Sequence, residues 1–198
     1  MPGGPLTANT RAPKATIAER LQAVLITAAV GAAAGLVAGQ VRLHLGLPGH
    51  KVLLWLTPVL ATRLILGGPA SATAGALAAA IGTAAVGGNL AGSLGHLPMI
   101  GMAGVVLDAA AYAAQRGRLA AVWAIPLMGV AGAAANIICF GKRLLAPWGE
   151  QGHAFLGLAG FDASLVSYGF FGLLAGLVGS AAAYAIMGRR RRGKQNAQ

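Results

Sequence analysis

The chain has 198 residues, 57% of them hydrophobic and 10% charged; an ordinary soluble domain carries roughly 25% charged residues. So few charges cannot coat a water-soluble surface of this size, and the apolar runs are too long and continuous for the alternating strands of a barrel. A net charge of +11 would suit nucleic acid, but the positives stand at the chain ends and between apolar runs, where a membrane protein places them, so no nucleic-acid partner is expected.

Residues 1–20 read as a flexible basic cytoplasmic tail carrying Arg11 and Lys14. The apolar run at 21–41 exceeds the roughly 7–15 residues of a signal-peptide core, so it is taken as an uncleaved first membrane helix. Within it Gly31, Gly35 and Gly39 recur every four residues, as do Ala28 and Ala32. Small residues at that spacing let helices approach closely, either inside this protein or against a partner. A short loop, RLHLGLPGHK, follows at 42–51. The second helix, 52–66, is about 22 Å long at ~1.5 Å per residue, short of a hydrocarbon core of roughly 30 Å, so it is expected to begin inside the preceding loop.

Gly67-Gly68-Pro69 cannot comfortably continue a helix, because glycine is permissive and proline lacks an amide proton. It makes a tight turn into a third helix at 70–86, built almost wholly of Ala, Gly, Ser and Thr. An uncharged glycine-rich loop, GGNLAGSLGH, leads to a fourth helix at 97–114 that carries Asp108. Residues 115–118, QRGR, form a basic turn before the fifth helix at 119–140. A longer loop at 141–164 holds Lys142, Arg143, Trp148, Glu150, His153 and Asp162, and the sixth helix spans 165–187. Residues 188–198 form a second basic cytoplasmic tail, with Arg189 to Arg192 and Lys194.

The fold class expected is all-α: a polytopic membrane protein with a six-helix transmembrane domain at 21–187 and both termini cytoplasmic. Charge supports the count. Ten basic residues (Arg11, Lys14, Arg20, Arg116, Arg118, Arg189, Arg190, Arg191, Arg192 and Lys194) then fall inside, against four outside (Arg42, Lys51, Lys142 and Arg143). That bias follows the positive-inside rule, and an odd number of helices would break it. The localisation expected is the inner membrane of a bacterium, as a multi-pass protein in the lipid bilayer.

His44, His50, His96 and His153 all fall in loops on the outer side, with Gln40, Asn89, Asn136, Trp148 and Tyr168 close by. Polar groups entering a membrane domain line cavities or pathways, so this accumulation points to a small-molecule pocket open to the exterior. The histidines also suit loops lying at the lipid headgroups, and Asn136 also suits an interhelical hydrogen bond. No HxxxH or HxH spacing is present and Cys139 is the sole cysteine, so no metal site, cofactor or disulfide is expected. The inner half is expected to be nearly dry. Its two intramembrane charges, Arg63 and Asp108, would each cost roughly 3 kcal/mol unpaired; they are expected to pair, unless Arg63 snorkels to the surface.

Two motif matches are set aside. Residues 188–194, GRRRRGK, fit the start of a phosphate loop, but Gln195 stands where Ser or Thr is required and no strand precedes it. Ser93 and His96 lack the G-x-S-x-G turn and orienting acid of a hydrolase. No enzymatic activity is expected.

The run RLILGGPASATAGALAAAIGTA at 63–84 resembles the helix, tight turn and Gly/Ala-rich helix of the substrate-binding S components of energy-coupling factor transporters. Six helices, a length near 200 residues and a small-residue face on the first helix agree with it. The resemblance implies capture of a vitamin-like micronutrient from outside, with no ATPase in this chain. Ala28 and Ala32 would dock on a membrane T component coupled to cytoplasmic ATPase subunits. The ligand would sit under the first outer loop, near His44, His50, Asn136, Trp148 and Tyr168. The N-terminus, MPGG, lacks the histidine segment of the nickel and cobalt branch, which argues against metal as substrate. An autonomous small-molecule transporter and a non-catalytic scaffold are the alternatives, although no inverted repeat of the kind common in carriers is evident.

Overall fold

The computed structural model describes residues 16–41, 49–88, 97–117, 119–141, 154–155 and 158–195. Among these lie six α-helices: α1 (Ile17–Gln40), α2 (Val52–Leu66), α3 (Ser71–Ala85), α4 (Leu97–Arg116), α5 (Ala121–Phe140) and α6 (Gly160–Gln195). A two-residue antiparallel ladder, Ala154–Phe155 against Leu158–Ala159, precedes α6. Four helices are long and apolar enough to cross a membrane: α1, α4, α5 and the Gly160–Arg190 part of α6. The large side chains they turn outward are also apolar, among them Leu25, Val105, Trp123, Val130 and Val178. Helices apolar on all sides belong in lipid rather than water, so the chain reads as a membrane protein.

Several boundaries differ from expectation, each for a local reason. The helix α1 starts at Ile17, inside the expected tail, because Thr16 and Glu19 form a capping box: the Thr16 Oγ1 accepts from Glu19 N at 3.2 Å and Glu19 Oε2 accepts from Thr16 N at 2.7 Å. Reciprocal capping satisfies two of the amides that a helix start leaves unpaired. Thr16→Ala should cost about 1 kcal/mol of local helix stability. Amide exchange over residues 17–20 should speed up while the middle of α1 is unchanged; equal exchange there would show that the cap does not hold this turn.

The helix α2 begins at Val52 and not in the loop; Gly49 to Lys51 make a turn whose carbonyls accept from Val52, Leu53 and Leu54. At its other end the tight turn is present. Gly67 (φ 72°) and Gly68 (φ 93°) take backbone conformations that a side chain would strain, and Ala70 (φ 59°) adopts the left-handed region as well. The last helix, α6, starts at Gly160, five residues before expectation, with Asp162 in its first turn, and continues through the arginine run to Gln195.

Helix directions follow from which residues meet. A Cβ on Gly31 would overlap the backbone of Gly75, one on Gly35 the backbone of Ala79, and one on Gly39 would press on Thr83 and Val86, so α1 and α3 run parallel in backbone-to-backbone contact. The Thr83 hydroxyl shares its proton between Gly35 O on α1 (2.8 Å) and Ala79 O on its own helix (2.9 Å). The pair α5 and α6 is similarly close but antiparallel, Gly132 lying against Gly172 and Gly176. Gly49, just before α2, meets Tyr168 and Gly179 packs on Thr57 and Leu60, so α6 runs parallel to α2. In the centre, Leu56, Val59 and Leu60 of α2 are fully buried with Leu107 and Met128. The 15-residue α2 is thus packed largely against other helices, its one charge, Arg63, being buried with its apolar residues.

Candidate functional site

Two groups of polar side chains lie at opposite ends of the helices. The first forms where α5 ends and α2 and α6 begin. Asn136, one turn before the end of α5, is 3% exposed and donates from Nδ2 to Tyr168 O at 2.8 Å and Gly49 O at 3.5 Å. One amide thus ties α6 and the turn before α2 to α5. Gly49, at φ 84°, lies so close to the Tyr168 ring that an added Cβ would stand 2.9 Å from its Cγ. The Phe140 ring packs against Phe161 and Tyr168, each at a centroid distance of 5.2 Å, and His50 meets Phe171 edge-on at 6.3 Å.

Of the residues singled out from sequence for ligand contact, Asn136, His50 and Tyr168 come together here. Gln40, the last residue of α1, is exposed. His44, Asn89, His96, Trp148 and His153 lie outside the described residues. Gly49, Phe140, Phe161 and Phe171 were not singled out; the signal was available in aromatic residues recurring near the same helix ends as Asn136. Ala28 and Ala32 are half-buried on α1, and the Ala32 carbonyl lies against Gly82 of α3. The small-residue face of α1 is therefore used within the chain.

The second group centres on Asp108. Its Oδ1 accepts from Arg63 Nε at 2.7 Å and Ala72 N at 3.2 Å, and its Oδ2 accepts from Thr73 N at 2.9 Å and Thr73 Oγ1 at 2.8 Å. Three helices meet in that carboxylate. The residue at the N-cap of α3 is Ala70, which has no side-chain acceptor. Asp108 supplies the cap from α4 instead, placing negative charge at the positive end of α3. The close approach is possible because Gly104 presents no side chain to the Thr73 backbone. Arg63 is 2% exposed and also donates from Nη1 to Gln115 Oε1 at 3.4 Å.

Beside this ion pair lies a cavity of about 600 Å³, walled by Arg20, Arg63, Thr73, Tyr112 and Gln115 together with the 68–70 turn. The two charges are paired, and α1 and α4 stand apart enough to leave beside them a space with largely apolar walls and a few polar groups. Gln115 lies two turns along α4 from Asp108, on the same face, which is the pattern that could have pointed to it. Among the described residues no three His, Cys, Asp or Glu side chains converge as a metal site.

In comparisons with protein-family models, curated proteins and solved structures, nothing matches this chain.

Proposed function

We propose that this chain is the membrane-embedded capture subunit of an uptake system for a small, vitamin-like solute, powered by a separate ATPase module. In this reading all six helices form one transmembrane bundle, with both basic termini in the cytoplasm of a bacterial cell. The solute enters from the opposite side, over Asn136, His50 and Tyr168, under the loop that joins α1 to α2. The observation that carries the reading is the Asn136 bridge: one buried amide joins the three segments that would have to enclose a ligand, at the helix ends that also hold the rings of Phe140, Phe161 and Tyr168. Aromatic walls with a few fixed polar groups are what a small-molecule pocket needs. The resemblance of residues 63–84 to energy-coupling factor S components points the same way, and there a T component would meet α1 beside Ala28 and Ala32.

The ion pair and cavity at the other end favour a second reading, an autonomous carrier with polar groups at both ends of a path. Native mass spectrometry of the protein drawn from its own membrane decides between them. A bound small molecule and co-purifying ATPases are expected. Asn136→Ala should lower the retained solute roughly tenfold, the ~1.4 kcal/mol of one lost hydrogen bond. A solute without ATPases, and uptake by the protein alone in vesicles, would establish the carrier instead. A bare protein from cells supplied with rich medium would leave only a scaffold.

A further inference from the structure

We infer that the cavity beside Arg63 and Asp108 is a binding site for a phosphate-bearing anion, and specifically for the headgroup of an acidic phospholipid. It lies at the opposite end from Asn136 and is independent of the capture reading.

The charge of the site is settled by counting donors. Asp108 is engaged by Arg63 and by three N–H or O–H groups of α3, so its charge is compensated within the protein. Arg63, 2% exposed, spends Nε on Asp108 and Nη1 on Gln115, while its Nη2 has no hydrogen-bond partner among the described residues. That nitrogen belongs to a buried guanidinium on the cavity wall. Arg20 adds a second guanidinium to the same wall, and no second acid lines it, so the balance is positive. A planar donor fork of this kind matches phosphate oxygens.

The rim decides the source of the anion. Val105 and Tyr112 line the cavity yet are each 56% exposed, and Leu21, one residue from Arg20, is 57% exposed. The opening is thus edged by apolar side chains turned outward. A free ion would gain nothing from them; a headgroup carrying acyl chains would lay the chains along that rim. Depth agrees as well. Arg63 lies three residues from the end of α2 and Asp108 eight from the end of α4, or about 5 and 12 Å at ~1.5 Å per residue, near the headgroup level of a bilayer. Arg116, which donates to the Tyr112 hydroxyl at 3.0 Å and lies over its ring, guards the same edge.

The test is lipid titration of the delipidated full-length protein, read by native mass spectrometry. Phosphatidylglycerol and phosphatidylcholine of identical chains are compared on wild type, Arg20→Gln, Arg63→Lys and Arg192→Gln. Wild type should prefer phosphatidylglycerol by about tenfold. Arg20→Gln and Arg63→Lys should each remove most of that preference; the lysine keeps the charge beside Asp108 but loses the fork. Arg192→Gln, on the exposed end of α6, should leave it intact. Equal binding of the two lipids overturns the inference, as does an Arg192→Gln loss as large as that of Arg20→Gln, which would mean diffuse surface charge. Inorganic phosphate or glycerol phosphate that displaces the lipid at millimolar concentration would keep the anion site and assign it to a soluble phosphate; no displacement assigns it to the lipid.

Discussion

Gly35→Ala will lower the thermal unfolding midpoint of the detergent-solubilised protein by roughly 6–12 °C, with Gly31→Ala close behind. In lipid, helices are not driven together by loss of water from apolar faces, because acyl chains are as apolar as leucine. What holds α1 to α3 is the closeness of two backbones, and that closeness depends on missing side chains. A methyl on Gly35 would overlap the carbonyl of Ala79, and one on Gly31 the carbonyl of Gly75. Those carbonyls belong to helix backbones and cannot swing aside as a flexible side chain would. Overpacking costs about 1–3 kcal/mol, and a rigid backbone obstacle puts these sites at the upper end. For a chain of this size each kcal/mol moves the midpoint by about 2–4 °C. Separating the helices also stretches the Thr83 hydroxyl bond to Gly35 O. Gly188→Ala and Gly101→Ala provide the comparison: the first meets nothing within 4 Å and the second only the tip of Leu77 at 3.8 Å. Both should stay within about 0.5 kcal/mol of wild type. If Gly35→Ala unfolds no earlier than Gly188→Ala, the parallel α1–α3 contact is not what holds this half together.

The same contact shows which parts of the structure could be read in advance. Glycines at every fourth position of α1 were visible, but their partners on α3 lie in an almost featureless Ala/Gly run, so nothing in it marked Gly75 and Ala79. The tight turn was plain, since Gly67-Gly68-Pro69 leaves the chain few conformations, and α2 ends at the expected Leu66 although it starts at Val52 and not inside the loop. Helix ends governed by polar residues were read less well. The Thr16–Glu19 capping box starts α1 ahead of the apolar run, and the arginine run after Met187 extends α6 because arginine is a good helix former. The opposite charges on α2 and α4 suggested a pair. That Asp108 also caps α3 was not legible, because a cap is sought next to the helix it serves and this one comes from 36 residues further on. The cavity beside it was still less accessible, since it depends on how far α1 stands from α4.

Asp108→Asn will destabilise the protein by about 3–5 kcal/mol, the cost of leaving one partner of a buried ion pair uncompensated. The substitution keeps the size of the side chain and one acceptor oxygen, so the Arg63 charge is what it strands. Arg63 is 2% exposed, with the Gln115 amide at 3.4 Å as its other hydrogen-bond acceptor among the described residues. The start of α3 suffers in the same change, because Ala72 N, Thr73 N and the Thr73 hydroxyl share an acceptor pair that an amide cannot fully replace. Removing both charges is expected to be milder than the sum of the single changes. In Arg63→Met/Asp108→Asn no buried charge remains, and only the weakened cap of α3, about 1 kcal/mol, is left to lose. A double-mutant cycle on unfolding midpoints should therefore return a coupling of at least ~2 kcal/mol, well above the few tenths expected of independent sites. Gln115→Ala, at an exposed residue with a long bond, sets the baseline. Additive single and double variants would mean that Arg63 finds water or lipid phosphate as easily as Asp108, and the three-helix junction would then rest on the α3 cap alone.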